Sequence, residues 1–263
     1  MKKILQILNL LSLILTIAVN YLVNSKYFGN PAIGEISAKY EHLLTPAGYA
    51  FSIWGIIYLG LLAFGIYQIR DWFSKRADTS FVLQIGWSFI LANLFNAAWV
   101  IAFVQDMPGL SVILILALFL SLLRIVLRTN MERWDAPPQI IFFLWWPFSL
   151  YFGWVNVAVI VNIAAWLVST GWSGAPLEPE LWAIALLVIA TAIFILMIWR
   201  RNMREYASAA AWGIIGIAVK NWEINPAVAW TALLCTLIIL FNAGLHGYQN
   251  RATAPFLKRK RID

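Results

Sequence analysis

The chain has 263 residues, of which 62% are hydrophobic and only 12% are charged. Soluble domains carry about 25% charged residues, so this chain has too little charge to cover the surface of a water-soluble globule. Its single cysteine, Cys235, cannot pair within the chain, which excludes a disulfide scaffold. Repeated apolar runs of about 20 residues instead predict an all-α, polytopic helical membrane protein.

Eight apolar segments are long enough to cross a hydrocarbon core of about 30 Å as helices. The predicted spans are 4–23, 48–69, 81–104, 108–127, 139–168, 181–199, 206–222 and 226–247. The fifth contains Pro147, which removes one backbone hydrogen bond and predicts a kink. The seventh is short and rich in Ala and Gly, so a re-entrant segment is the alternative to a crossing.

The distribution of Lys and Arg predicts the orientation of these spans. Segments on one side hold 16 basic residues, including those of the C-terminal tail, and the other side holds only Lys26, Lys39 and Lys220. Cytoplasmic loops carry the excess of basic residues, so both termini are predicted to be cytoplasmic, in a bacterial plasma membrane. We expect the first segment to remain as an uncleaved helix, because it is longer than the apolar part of a usual signal peptide.

Two connections between the predicted spans are longer than the rest. Residues 24–47 form the longer one, on the predicted outer face, and their aromatic content favours a cap folded onto the helices. Residues 169–180 are predicted to form an outer linker. This linker would divide the chain into a five-helix membrane bundle, 1–168, and a three-helix membrane extension with a basic tail, 181–263.

The predicted spans lack the side chains of common catalytic sites. All twelve acidic residues lie in predicted loops or tails, which argues against a proton-coupled transporter. His42 and His246 fall at opposite ends of the predicted fold, so they cannot share a metal ion. The sequence contains no Gly-rich phosphate loop, zinc-helix motif or Ser/His/Asp arrangement. We therefore expect no enzymatic activity, no catalytic residue, no metal and no required cofactor.

The polar groups that remain in the spans are mainly Asn and Trp. Asn96 and Trp99 share one face of the third span, and Asn162 lies in the outer part of the fifth. Such Asn side chains ordinarily form hydrogen bonds between helices. Trp54 of the second span and Trp154 of the fifth would bring indole rings near them, as the walls of a pocket for a flat apolar ligand. The alternative for the Trp residues is the aromatic belt at the membrane interfaces.

Three segments resemble signatures of the TspO/MBR family, the tryptophan-rich sensory or translocator proteins. Residues 46–58, with Trp54 and Tyr58, are similar to the family's Pro-Pro-Gly-Trp-Val-Phe…Trp…Tyr motif, although Ala47 replaces the second Pro. Two further segments match the family in spacing and in order along the chain. They are Asn96-x-x-Trp99 with Phe103, and Tyr151-x-x-Trp154 with Ala158, Asn162 and Trp166. The resemblance covers about residues 1–168 and leaves 181–263 outside it.

The resemblance implies a membrane ligand-binding or sensory protein, whose five-helix bundle binds porphyrins or similar flat hydrophobic molecules. It places the ligand beneath the 24–47 loop. The ligand-binding residues it implies are Trp54, Asn96, Trp99, Trp154, Ala158 and Asn162. A receptor role, transport and light-dependent porphyrin breakdown have each been proposed for the family, and the residues of this chain do not distinguish them.

Two other functions fit the same sequence. Eight spans give room for a carrier of small hydrophobic solutes, and the small residues of the seventh span are typical of a membrane scaffold or assembly protein. The expected partners are the lipid bilayer and a tetrapyrrole or another hydrophobic small molecule. A homo-oligomer is compatible with the sequence, and a nucleic-acid partner is not expected.

Overall fold

The computed structural model describes residues 1–74 and 78–251, and within these ranges the chain is helical without strands. The predicted all-α class is therefore confirmed. Basic residues 75, 76 and 258–261, which entered the charge count, lie outside the described residues. The helices are α1 Lys2–Asn24, α2 Ile33–Lys39, α3 Ile53–Tyr67, α4 Phe81–Ile85, α5 Ser88–Val104, α6 Pro108–Arg128, α7 Pro138–Ile140, α8 Trp146–Ser169, α9 Pro179–Arg201, α10 Arg204–Asn221 and α11 Pro226–Gln249.

Among the described residues, six helical segments are long and apolar enough to cross a membrane. They are Lys2–Asn24, Gly48–Trp72, Pro108–Arg128, Pro138–Ser169, Pro179–Arg201 and Pro226–Gln249. Helix α5 is apolar but has only 17 residues. Helix α10 has 18 residues, and most of them are buried, since neighbouring helices surround it. The number of eight crossings therefore stays a prediction.

The third predicted span, 81–104, is not one continuous helix, so that expectation was wrong. The chain forms the short helix α4, turns at Gly86 with φ +58°, and then begins α5 at Ser88. Glycine adopts this left-handed backbone without the steric cost that a Cβ would impose. The sequence contained this signal, because a glycine follows the first five residues of the span.

The predicted kink at Pro147 takes the form of a wide π-helical turn. Residues Ile141–Trp145 form that turn immediately before α8. Because Pro147 has no N–H, an α-helix here would lose one backbone bond, and the wide turn relieves that loss. Pro147 also packs against α3 at Gly60, where a Cβ atom would lie 3.3 Å from the Cβ of Pro147.

Helix α1 shows that the bundle is built for lipid. Its polar side chains Gln6, Asn9, Ser12, Thr16 and Asn20 recur every three or four residues and are buried. They form hydrogen bonds inside the bundle, for example from Gln6 Nε2 to the carbonyl of Gln68 at 2.6 Å. Its large apolar side chains are exposed instead, at Ile4, Leu11, Ile14 and Leu15. A helix in water shows the opposite pattern.

Helix α8 lies against α3, α6 and α10, and its contact with α10 is very close. A Cβ atom at Gly153 of α8 would lie 2.1 Å from the backbone oxygen of Tyr206, at the start of α10. Small residues allow such close approach between membrane helices. The predicted extension 181–263 therefore contributes α10 to the packing of the predicted bundle 1–168.

Helix α10 also holds the chain that leads into α3. The indole of Trp212 donates a hydrogen bond to the carbonyl of Ala50 at 2.9 Å, and Ala47 N–H donates to the carbonyl of Gly216 at 2.9 Å. These bonds fix the 3-10 turn Gly48–Ser52 ahead of α3. The start of α3 is thus positioned by a helix that lies more than 150 residues further along the chain.

The substitution Gly153→Ala tests the α8–α10 contact. The added methyl group meets backbone atoms that cannot rotate away, so we expect a loss of stability of at least about 2 kcal/mol. Thermal unfolding of the detergent-solubilised protein measures this loss. The matched control is Gly55→Ala in α3, where a Cβ meets nothing within 4 Å. Equal melting temperatures for the two variants would contradict the packing described here.

Candidate functional site

Trp54 lies at the centre of a buried group of aromatic rings in α3, α5 and α8. Its ring centroid is 6.2 Å from that of Trp99 and 6.3 Å from that of Trp154. Tyr58 stacks on Trp54 at 5.4 Å, and Tyr151 meets it edge-on at 5.8 Å. The three Trp residues predicted from the sequence as pocket walls are therefore brought together, and none of them lies in an exposed aromatic belt. We call this group the tryptophan chamber.

A small void lies inside the tryptophan chamber. Its volume is about 30 Å³, which leaves room for only one or two water molecules. Ligand sites for drug-sized molecules measure roughly 300–1,000 Å³, so the chamber is closed in this structure. Five of the six predicted site residues line the void: Trp54, Trp99, Trp154, Ala158 and Asn162.

The sixth predicted residue, Asn96, does not line the void. Its amide nitrogen donates to the hydroxyl of Tyr151 at 2.8 Å, and its oxygen accepts from the amide of Asn20 at 2.9 Å. It therefore joins α1, α5 and α8. Asn162 lines the void and also joins helices. Its oxygen accepts a hydrogen bond from the indole of Trp99 at 2.6 Å, and its nitrogen donates one to the hydroxyl of Ser111 at 2.7 Å.

Two indole N–H groups of the chamber have no hydrogen-bond partner among the described residues. They belong to Trp54 and Trp154, and both nitrogen atoms are buried. A buried donor without a partner costs about 1–3 kcal/mol, so such groups are uncommon in a protein interior. Both rings line the same void.

The 24–47 loop is folded over the chamber and contains α2. Ile33, Ser37 and Pro46 of this loop line the void. The loop is attached to the end of α5 through Asp106, whose carboxylate forms a salt bridge with Lys39 and accepts a hydrogen bond from the hydroxyl of Tyr40 at 2.7 Å. These contacts lie at the surface of the protein.

Helix α10 packs against Trp154 without lining the void, and the only function predicted for this segment from the sequence was a scaffold or assembly role. A Cβ atom at Gly213 would lie 3.3 Å from the ring of Trp154 and 2.9 Å from Val157. The signal was present in the small residues Ala209, Gly213 and Gly216, which share one helix face. We predicted close helix packing from them, but the partner of that face cannot be identified from spacing.

A much larger groove, which the sequence did not predict, lies beside the chamber. Its volume is about 790 Å³, and its walls come from α8, α9, α10 and three connecting segments. The lining is mainly apolar, and its charged residues Glu41 and Lys220 form a salt bridge at 2.8 Å. The residues that line it are 41–44, 160, 163, 164, 167, 168, 172–174, 179, 182, 183, 186, 220, 221 and 224. We call it the outer groove.

His42 lies on the wall of the outer groove and joins the loop to α8. Its Nε2 is 3.1 Å from the carbonyl of Val161, and its Nδ1 accepts the N–H of Leu44 at 3.1 Å. This pair of bonds requires the neutral ring with the proton on Nε2. Burial lowers the pKa of His42 from 6.5 to about 4. No group of His, Cys, Asp and Glu among the described residues could hold a metal ion.

The fold and the chamber define a polytopic helical membrane protein with a closed aromatic chamber under a structured loop. The chain matches the family of TSPO-like proteins over residues 6–245 and belongs to that family. The match extends past residue 168, where the resemblance was expected to end, and includes α9, α10 and nearly all of α11. No curated protein and no solved structure matches the chain.

The pKa of His42 predicts an acid-sensitive loop. The folded state binds this proton less readily than the unfolded chain, so stability is complete above about pH 6.5 and falls as the pH drops toward 4, by up to about 3 kcal/mol. Melting temperatures between pH 7 and pH 4.5 measure the loss. His42→Gln cannot titrate, so we expect it to melt with a smaller pH dependence. An identical acid loss in both proteins would show that other groups cause it.

Proposed function

We propose that this protein is a TspO-type membrane ligand-binding protein that takes flat hydrophobic molecules, tetrapyrroles first among them, into the tryptophan chamber. The observation that carries the proposal is the pair of buried, unpartnered indole N–H donors of Trp54 and Trp154 on one internal void. A flat ring with carboxylate or carbonyl groups at its edge offers both the stacking surface and the acceptors that these walls lack.

Binding requires the chamber to open, because a void of about 30 Å³ cannot hold a tetrapyrrole. The 24–47 loop covers the void from one side. Its contacts with Asp106 at the end of α5 are exposed, whereas Ile33, Ile36 and Leu44 are buried against the helices. Exposed ion pairs contribute about 1 kcal/mol or less, so the contacts with Asp106 oppose opening only weakly, and the buried apolar side chains of the loop set its main cost. The helices below the loop are joined by buried hydrogen bonds and would stay in place.

The proposal includes an integral location in a bacterial plasma membrane with both termini in the cytoplasm, and it assigns no catalytic residue. Sensing, transport and light-dependent porphyrin breakdown would all use the same bound state. The chamber geometry supports that shared binding step. Assembly as a homo-oligomer and a scaffold role for the last three helices are further proposals, which none of the contacts within one chain addresses.

A conservative substitution in the chamber tests the binding proposal. Trp154→Phe keeps an aromatic ring and removes one unpartnered N–H donor. We expect it to weaken protoporphyrin IX binding about tenfold, because a hydrogen bond to a charged acceptor is worth roughly 1.5–3 kcal/mol. Equilibrium dialysis in nanodiscs, read by porphyrin absorbance, measures the affinity without relying on tryptophan emission.

The matched control is Trp230→Phe, since Trp230 is 60% exposed on α11 and lies outside the chamber. We expect wild-type affinity for this variant. If the two variants bind protoporphyrin IX equally well, the chamber is not the site. If the wild-type protein does not bind protoporphyrin IX, tetrapyrroles are the wrong ligand class.

A carrier of hydrophobic solutes is the second candidate function, and the outer groove favours it. At about 790 Å³ the groove is large enough for a small-molecule ligand without any movement of the chain. Ala164→Trp would fill part of it. A carrier predicts that this variant slows the delivery of protoporphyrin IX to apomyoglobin enclosed in proteoliposomes, while Trp154→Phe does not. If the protein only senses or breaks down the bound porphyrin, no variant delivers protoporphyrin IX faster than protein-free vesicles do.

A further inference from the structure

A polar cavity of about 450 Å³ lies at the end of the bundle opposite the 24–47 loop. It is formed where the α6–α7 connection, the turn before α8, and the ends of α9, α10 and α11 meet. Four arginines line it, at positions 133, 200, 201 and 204, together with four tryptophans, at positions 134, 145, 146 and 199. We call this region the arginine end.

Unpartnered hydrogen-bond donors are concentrated at the arginine end. The Nε atoms of Arg201 and Arg204 and the indole nitrogen of Trp145 are buried and have no partner among the described residues. His246 is 7% exposed, and its Nδ1 is unpartnered as well. Asn250 Nδ2 lies 3.3 Å from His246 Nε2 and can donate a hydrogen bond to it. Nε2 is then the acceptor nitrogen of the neutral ring, so the ring proton lies on Nδ1. Four N–H donors of one cavity therefore lack an acceptor.

The charges around this cavity also favour a negative ligand. Glu132, which is 6% exposed, has one unpartnered carboxyl oxygen. Burial, and then the neighbouring carboxylate of Glu205, raise the pKa of Glu132 to about 9, and burial also raises the pKa of Glu205, so the pair holds at least one proton at pH 7. The four arginines then outnumber the remaining acids Asp135 and Glu205. The lining has a positive excess, and its four unpartnered donors outnumber its two unpartnered acceptor atoms, Asn202 Oδ1 and Glu132 Oε1.

The backbone at this cavity is strained at Glu132, which has φ +62° in the left-handed region that such residues seldom adopt. Such strain tends to occur at functional sites, where the surrounding structure holds it. Asn202 also has a positive φ, +61°, but this is the usual left-handed end of a helix, here α9. Helix α10 begins beside the cavity at Arg204 and has no side-chain cap, so the positive end of its dipole adds to the attraction for an anion.

We propose that the arginine end is a second ligand site, for a planar organic anion whose carboxylate or phosphate group is bound by Arg201 and Arg204. Guanidinium groups bind such oxyanions through paired charge-assisted hydrogen bonds. The indoles that line the cavity provide aromatic surface for the planar body of the ligand. The cavity volume lies within the range of small-molecule sites, and the site is separate from the tryptophan chamber.

Flavin mononucleotide is a suitable probe, because it is planar and carries a phosphate, and riboflavin is the same ring system without that phosphate. Isothermal titration with the full chain in phosphatidylcholine nanodiscs measures both. We expect flavin mononucleotide to bind at least tenfold more tightly than riboflavin. Arg204→Met should reduce this affinity about tenfold, and Arg201→Met serves as the second variant if the first does not fold.

The matched control is Arg128→Met, since Arg128 is exposed on α6 and does not line the cavity. We expect it and Trp154→Phe to bind flavin mononucleotide as the wild type does. Equal affinity for the two flavins, or equal loss in the control, would overturn the proposal. Nanodiscs that contain phosphatidylglycerol distinguish a soluble anion from a lipid headgroup. If phosphatidylglycerol displaces flavin mononucleotide, the site binds a lipid headgroup, and the proposal of a soluble ligand is overturned.

Discussion

The structure depends on a constraint that lipid imposes: a polar group in the hydrocarbon interior has no water and must find its partner within the protein. Asn96 illustrates the consequence, because its single carboxamide joins Asn20 of α1 to Tyr151 of α8. Asn162 does the same between α5 and α6 through Trp99 and Ser111. Each such bond is worth only about 0.6–1.7 kcal/mol, but the geometry it requires fixes how the helices face one another.

Against this background, polar groups that remain unpartnered are informative. Among the described residues they occur in two groups that are relevant to ligands. One is the pair of indole N–H groups in the tryptophan chamber, and the other is the set of N–H donors at the arginine end. The first group has two neutral donors beside aromatic rings, which suits a flat hydrophobic molecule with acceptors at its edge. The second is strongly cationic, which suits an anion. The two groups thus differ chemically, and they lie at different levels along α8 and the turn before it.

Much of this arrangement followed from the sequence, because its signals are local. Apolar length predicted most of the helices, and the spacing of Asn96 and Trp99, with the depth of Trp54 and Trp154, predicted which side chains meet. The break at Gly86 and the π-helical turn before Pro147 changed the shape of two predicted spans. A glycine or a proline in the sequence marks where a helix is disturbed, but it does not give the geometry that results.

The features that could not be predicted depend on contacts between distant segments. The small residues of α10 indicated close packing, but only the fold shows that Gly213 meets Trp154 and that Gly216 lies beside Ala50. Glu132 and Glu205 are 73 positions apart and were placed in two separate predicted loops, so their meeting could not be predicted. The resemblance to the family ended at residue 168 because its recognisable motifs lie before that point, whereas the family match includes the last three helices.

The most direct test of the central claim is an experimentally determined structure of the protein with protoporphyrin IX bound in nanodiscs. The account predicts density for the ring between Trp54, Trp99 and Trp154, with α2 displaced and the α8–α10 contact at Gly153 unchanged. Density for the porphyrin in the outer groove or at the arginine end, with the three indoles still in mutual contact, would contradict it.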